Sequence, residues 1–226
     1  MSKTVAAHQP HFWPWLGYLD KWQHADVLIV LDDVDYPRQD FVNRNRILLH
    51  GREQWLTLPV AKRPRGTAIR DMPVSFETDW RKIHLETLRR AYPQGRSSPL
   101  MGQTEAMYGS FSPRLMDWCL SSMLLLKSGY AAHPWGTIAF ASQADIPAGL
   151  TKTDRLVALC KVHGATHYLS RLGAKAYLDE KKFAEAGIEV QWSCRQPPGT
   201  LSALHYLLRG DEEARAWLTA GAAGRC

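Results

Sequence analysis

Five consecutive aliphatic residues, Val27-Leu28-Ile29-Val30-Leu31, stand between Asp26 and the pair Asp32-Asp33. A strand with one face in water alternates apolar with polar side chains, so this run predicts a strand buried on both faces. Such strands belong to parallel sheets covered by helices, and the rest of the chain supplies both parts. Residues 4–7, 137–141, 166–169 and 188–192 read as further strands. Helical patterns fall between them at 17–25, 153–163 and 179–186, the last stopped by Gly187, and a final helix is read at 201–209. The predicted fold class is α/β: a mainly parallel central sheet flanked by helices, Rossmann-like, with a hairpin and a helical insertion. The hairpin joins 46–49 to 54–60 through His50-Gly51-Arg52, with 69–74 as a third strand. The insertion covers about residues 78–130, with helices at 78–91 and 113–127. Residues 1–210 thus form a single α/β catalytic domain, and 211–226 a C-terminal helix with a frayed tail.

The composition, 45% hydrophobic and 22% charged over 226 residues, is that of a soluble globule, able to bury about 70% of its unfolded surface. The apolar stretch at 121–126 is far short of the roughly 18 residues that span a bilayer. The N-terminus lacks a signal-peptide core, so the expectation is a cytoplasmic protein with no membrane partner. Cys119, Cys160, Cys194 and Cys226 are widely spaced with no CxxC pair, which predicts reduced thiols and no structural zinc. Neither Cys160 nor Cys194 has a catalytic signature around it, and no GxSxG or P-loop motif is present. The net charge of +6 is concentrated at 38–70 and 81–96. No nucleic-acid-binding motif accompanies it, so the charge points to a solvated basic face or to an anionic small molecule or carrier protein.

Most of the chemically capable side chains lie between His8 and Arg46. In a parallel sheet, sites form beyond the carboxyl ends of the strands, here at His8 and at Asp32-Asp33. His8 is the candidate general base, because imidazole titrates near neutrality and a neighbouring carboxylate would fix its tautomer; the alternative is a ring nitrogen that merely caps a turn. Asp33 is the candidate partner and Asp32 a substrate anchor; if the strand continues they point to opposite sides. Turn capping and a magnesium site are the alternatives. Pro10 and Pro14 hold a loop in which Gln9, Trp13, Trp15 and Tyr18 are expected to line one pocket with His8. In Asn43-Arg44-Asn45-Arg46 the arginines share one face of an extended chain, and guanidinium suits bidentate capture of a carboxylate or phosphate. Arg44, Asn45 and Arg46 are therefore candidate substrate-binding residues, or a charged sheet edge. His84 shares a helix face with Trp80, so the indole and imidazole can border one wall of a site or simply pack together. No metal and no cofactor are expected.

The blocks HQPxxxPWLGYxDK from His8, ADVxxxLDDVxY from Ala25, NRNRI from Asn43 and WLTLPV from Trp55 resemble the WbqC-like protein family. The resemblance extends through Trp80, His84 and Tyr92, Thr153-Asp154-Arg155-Leu156, Tyr168-Leu169-Ser170, Tyr177-Leu178 and Phe183 with Gly187-Ile188. It implies a place in bacterial O-antigen, amino-sugar or natural-product biosynthesis. It also implies a small-molecule transferase that moves an acyl or aminoacyl group onto an amine, with His84 beside His8 and Asp33 in the catalytic set. Two positions depart from the family pattern: Arg171 stands where a glycine is usual, and His205 where an aspartate is usual. The alternative functions are a non-catalytic scaffold docking an acyl- or aminoacyl-carrier protein, and a metal-dependent nucleotide-sugar transferase.

Overall fold

The computed structural model describes residues 2–38, 40–130 and 134–220. In chain order the elements are β1 (Thr4–His8), α1 (Leu16–Gln23), β2 (Val27–Val30), β3 (Arg44–Leu49), β4 (Arg52–Thr57), α2 (Trp80–Ala91), α3 (Pro99–Gly109) and α4 (Leu115–Gly129). The second half adds β5 (Thr137–Phe140), α5 (Lys152–Val162), β6 (His167–Arg171), α6 (Glu180–Glu185), β7 (Glu189–Ser193), α7 (Ala203–Arg209) and α8 (Glu212–Thr219). Five strands make one parallel sheet in the order β5-β2-β1-β6-β7, and β3 pairs with β4 as a separate antiparallel hairpin. Numbered within the sheet alone, the order is 3-2-1-4-5, that of a doubly wound Rossmann-type sheet.

The aliphatic run of β2 is explained by what lies on each side of it. Leu28 and Val30 pack with Ala6 of β1 against Leu16, Leu19 and Trp22 of α1. Val27 and Ile29 pack with Val5 and Ala7 against Leu159 and Cys160 of α5 and Phe183 of α6. Each fully buried aliphatic side chain contributes about 1.5–3 kcal/mol, so neither face tolerates a polar residue.

The segment between β2 and β5 carries the hairpin and three helices. Asp79 caps α2 through Lys82 N at 3.3 Å, and Trp80, His84 and Leu88 form its buried face while Ile83 is exposed. Helix α3 is absent from the sequence reading because glycines and polar residues interrupt its pattern; Ser98 caps it and Pro99 opens it. Residues 69–74 form a 3-10 turn, Ile69–Asp71, and two isolated bridges, Val60 to Val74 and Pro73 to Arg114, in place of the expected strand. Pro73 inside that segment cannot donate to a ladder. Helix α5 starts one residue before the expected 153, with Thr151 at its N-cap, and the Thr153 hydroxyl accepts from Asp179 N at 3.1 Å. The last part of the expected frayed tail, 221–226, lies outside the described residues. No helix among the described residues is long and apolar enough to cross a membrane.

Candidate functional site

The topology opens the sheet at one place. β1 is paired with β2 over four positions ending at His8–Val30, but with β6 only at Thr4–His167 and Val5–Tyr168. Beyond Val5 the two strands part, as the rule for topological switch points requires. The His8 carbonyl accepts from Leu31 N on the β2 side at 2.8 Å, so alternation turns the Ala7 carbonyl toward β6. There the Lys21 ammonium, reaching over from α1, donates to it at 3.0 Å. Arg171 ends β6, and Arg195 follows β7.

His8 Nδ1 lies 3.0 Å from the Gln9 carbonyl oxygen. A carbonyl can only accept, so Nδ1 carries the proton and Nε2 keeps a basic lone pair. The rings of His11 and Tyr18 each stand 4.8 Å from it, centroid to centroid. Burial, then the charge of Lys21, push the pKa of His8 well below its ordinary value and hold the ring neutral. Burial, then Arg171, bring Lys21 down to about 7. The carboxylate of Asp20, 2% exposed, is matched by Arg195 at 2.6 Å and His24 at 3.3 Å. Arg195 also donates to Trp217 O. Arg171 donates through Nη2 to Arg195 O at 2.9 Å and lies over the Trp15 ring at 5.1 Å.

The sequence profile of the WbqC-like protein family matches residues 9–198. The chain belongs to this family. It is similar to uncharacterized protein Rv1507c of Mycobacterium tuberculosis (strain ATCC 25618 / H37Rv), 32% identical over 195 residues that cover 84% of this chain and 81% of the relative. No solved structure matches it.

In this WbqC-like chain the aromatic residues of the β1–α1 loop divide. Tyr18 touches His8, and Trp15 supports Arg171. Trp13 is fully buried elsewhere, with φ 51°, its indole donating to the Tyr108 hydroxyl at 2.9 Å. The loop is fastened at several points: Phe12 N to Val42 O, Trp13 N to Ser122 Oγ, Asn45 Nδ2 to Trp13 O and Ala203 N to Pro14 O. Asn45 is therefore committed to holding the loop. His84 Nε2 lies 3.1 Å from Thr57 O and Nδ1 3.1 Å from the Tyr108 hydroxyl. The carbonyl fixes the proton on Nε2, so Trp13 donates to Tyr108 and Tyr108 donates to His84. Burial takes His84 down to about 4, and both its nitrogens are engaged within the protein.

Asp32 accepts from Ser142 N at 3.0 Å and from its hydroxyl at 2.6 Å, and Asp33 pairs with Arg155 at 2.5 Å. Neither is among the charges that act on His8; the group fixing its ring is the Gln9 backbone. Arg44 and Arg46 share the outer face of the hairpin, as the alternation predicts, and flank Trp55 at 4.5 and 5.5 Å. Arg46 also bonds Glu53 at 2.8 Å and Thr200 at 3.2 Å. Cys119 and Cys160 are free and buried, and burial pushes the Cys160 thiol up to about 12. Cys194 is disulfide-bonded, which corrects the expectation of reduced thiols there; spacing along a chain does not limit pairing through space. His205, 3% exposed, is hydrogen-bonded to the Tyr92 hydroxyl at 2.7 Å. Among the described residues no three His, Cys, Asp or Glu side chains are grouped to hold a metal ion. Lys21, Asp20, His11 and Arg195 are not among the sequence candidates; of the groups at the crevice His8, Trp15 and Tyr18 are, and Arg171 stands out in the sequence only as a departure from the family pattern.

Proposed function

We propose that the protein is a small-molecule acyl or aminoacyl transferase that forms an amide on an amine acceptor, an amino sugar or an amino-acid-derived metabolite, in polysaccharide or natural-product biosynthesis. The observation that carries this reading is His8: neutral, at the open end of β1, with Nδ1–H committed to Gln9 and Nε2 available as a base. The acceptor nitrogen attacks the acyl carbon and forms the C–N bond. His8 Nε2 takes the N–H proton from the adduct, in which that proton is far more acidic than in a free ammonium. The adduct collapses, the leaving group departs, and His8 returns the proton to it. Arg44 and Arg46, beside Trp55 on the hairpin, bind an anionic part of donor or acceptor.

A second reading, docking of an acidic carrier protein, is favoured by a cleft of about 830 Å3 lined by Arg38, Lys62, Arg63 and Arg65 against one carboxylate, Asp35. One experiment separates the two. With a panel of acyl donors and amines followed by mass spectrometry, His8→Ala should lower kcat about 100-fold or more while leaving carrier binding intact. Turnover that survives His8→Ala removes the transferase mechanism.

A further inference from the structure

Across the crevice from the base, the fold leaves strong donors unused. Lys21 is 6% exposed, and its ammonium gives one hydrogen to Ala7 O; no other hydrogen-bond partner of Nζ is found among the described residues. Arg171 Nη1 is buried with no hydrogen-bond partner, and the nearest carboxylate oxygen, on Asp20, is 3.8 Å away. His11, 6% exposed, leaves Nδ1 buried and unpartnered beside them. Native proteins rarely orphan buried charged donors, because each keeps the full penalty of having left water. Nor is the local charge balanced. Asp20 is held by Arg195 at 2.6 Å, so Lys21 and Arg171 form a surplus facing the gap where β1 and β6 separate.

We propose that the gap between β1 and β6 is a carboxylate-binding site, in which Lys21 and Arg171 hold the carboxylate of a substrate whose reacting group lies at His8. The last clause rests on the transferase reading; the site itself does not. A carboxylate fits better than a phosphoryl group for two reasons. Arg171 has already given Nη2 to Arg195 O, so the available donors are few and suit two oxygens rather than three. The Asp20 carboxylate at the same edge repels a dianion more than a monoanion. The groups that interact with Lys21 are His8 from β1, His11 from the loop and Arg171 from β6; Asp20, its neighbour along α1, lies by Arg171 and is partnered by His24 and by Arg195 from beyond β7. An anion arriving among them favours the charged form of Lys21, so binding near neutrality should draw in a proton.

The test is calorimetric titration of the full chain at pH 7 with N-acetylglycine, which has one carboxylate and no amine, and separately with inorganic phosphate. Chloride holds the ionic strength constant, and two buffers of different ionisation enthalpy report proton uptake. N-acetylglycine should bind saturably, more tightly than phosphate, taking up about half a proton per molecule bound. Arg171→Gln keeps an amide to meet Arg195 O but loses Nη1, and should weaken binding about tenfold or more. Lys21→Met should weaken it similarly and abolish the proton uptake. Should Lys21→Met fail to fold, Arg171→Gln and the uptake of the unaltered chain still decide. No saturable heat with N-acetylglycine overturns the proposal, as does an unchanged affinity in Arg171→Gln or a preference for phosphate. Carboxylate binding that Arg171→Gln weakens, in a protein that forms no amide, keeps this site and discards the transferase. Amide formation with a KM indifferent to Arg171→Gln and no carboxylate binding does the reverse.

Discussion

Replacing Tyr108 with phenylalanine asks whether His84 braces the fold or takes part in the chemistry. The substitution removes one oxygen and keeps the ring, so no cavity is created beyond the hydroxyl. That oxygen satisfies two buried groups at once, accepting from Trp13 Nε1 at 2.9 Å and donating to His84 Nδ1 at 3.1 Å. Trp13 is 0% and His84 4% exposed, so water cannot replace the lost partner. Each orphaned buried group costs about 1–3 kcal/mol, which gives about 2–4 kcal/mol in total after partial relaxation. Urea unfolding at pH 7 measures it, with an unchanged m-value as the sign that the folded and unfolded states are otherwise the same. The turnover number per mole of folded protein should stay within about twofold of the unaltered chain. A loss below about 1 kcal/mol would refute the hydrogen-bond chain. A large fall in kcat with normal stability would return His84 to the reaction.

Acid should destabilise the protein early. His11 and His84 are held at about 4 in the fold, below their unfolded values, so the unfolded chain binds more protons as pH falls. Their contribution is complete above about pH 6.5 and is lost toward pH 4; each costs about 2 kcal/mol between pH 7 and 5, and a flat melting temperature over that range contradicts it. Arg44→Lys and Arg46→Lys keep the charge but lose the planar fork, and should raise KM with little change in kcat; no change in either parameter would reduce the pair to supports for Trp55. Gly17→Ala places a methyl 2.6 Å from the Trp15 ring that carries Arg171. A stability loss of about 1–3 kcal/mol is expected, together with a shifted tryptophan emission, and a neutral result would show that the ring moves aside freely.

The sheet was legible because its evidence is local. Five aliphatic residues between acids allow few environments, and the alternation at 43–46 placed Arg44 and Arg46 on one side of the hairpin without knowledge of any partner. The candidate site was legible at His8 and in the loop aromatics Trp15 and Tyr18. Lys21 reads as an ordinary lysine near a helix end, and nothing in its surroundings along the chain says that β6 will come to lie beside β1. Asp32 and Asp33 attracted attention by standing at a strand end, but their partners, Ser142 and Arg155, are 110 and 122 residues away. His84 entered the catalytic set through the family resemblance, while its own surroundings along the chain say only that it shares a helix face with Trp80; Thr57 and Tyr108, which occupy its nitrogens, are supplied by the hairpin and by a helix the pattern did not show.

The fastening of the β1–α1 loop sets the smallest chain that can have a formed site. Ala203 N–H supports Pro14, and Ser202 bridges Trp15, yet both lie beyond residue 198, where the family match ends. A protein trimmed at that point would keep every residue that identifies it and lose one wall of the loop that carries His11 and Trp15. The remaining fasteners at Val42, Asn45 and Ser122 belong to segments that reach the loop only in the assembled fold. The backbone amides of Phe12 and Trp13 should therefore exchange with deuterium only at the rate of whole-molecule unfolding, as the slowest amides of the sheet do. No partly assembled form of this chain would have a working pocket to offer.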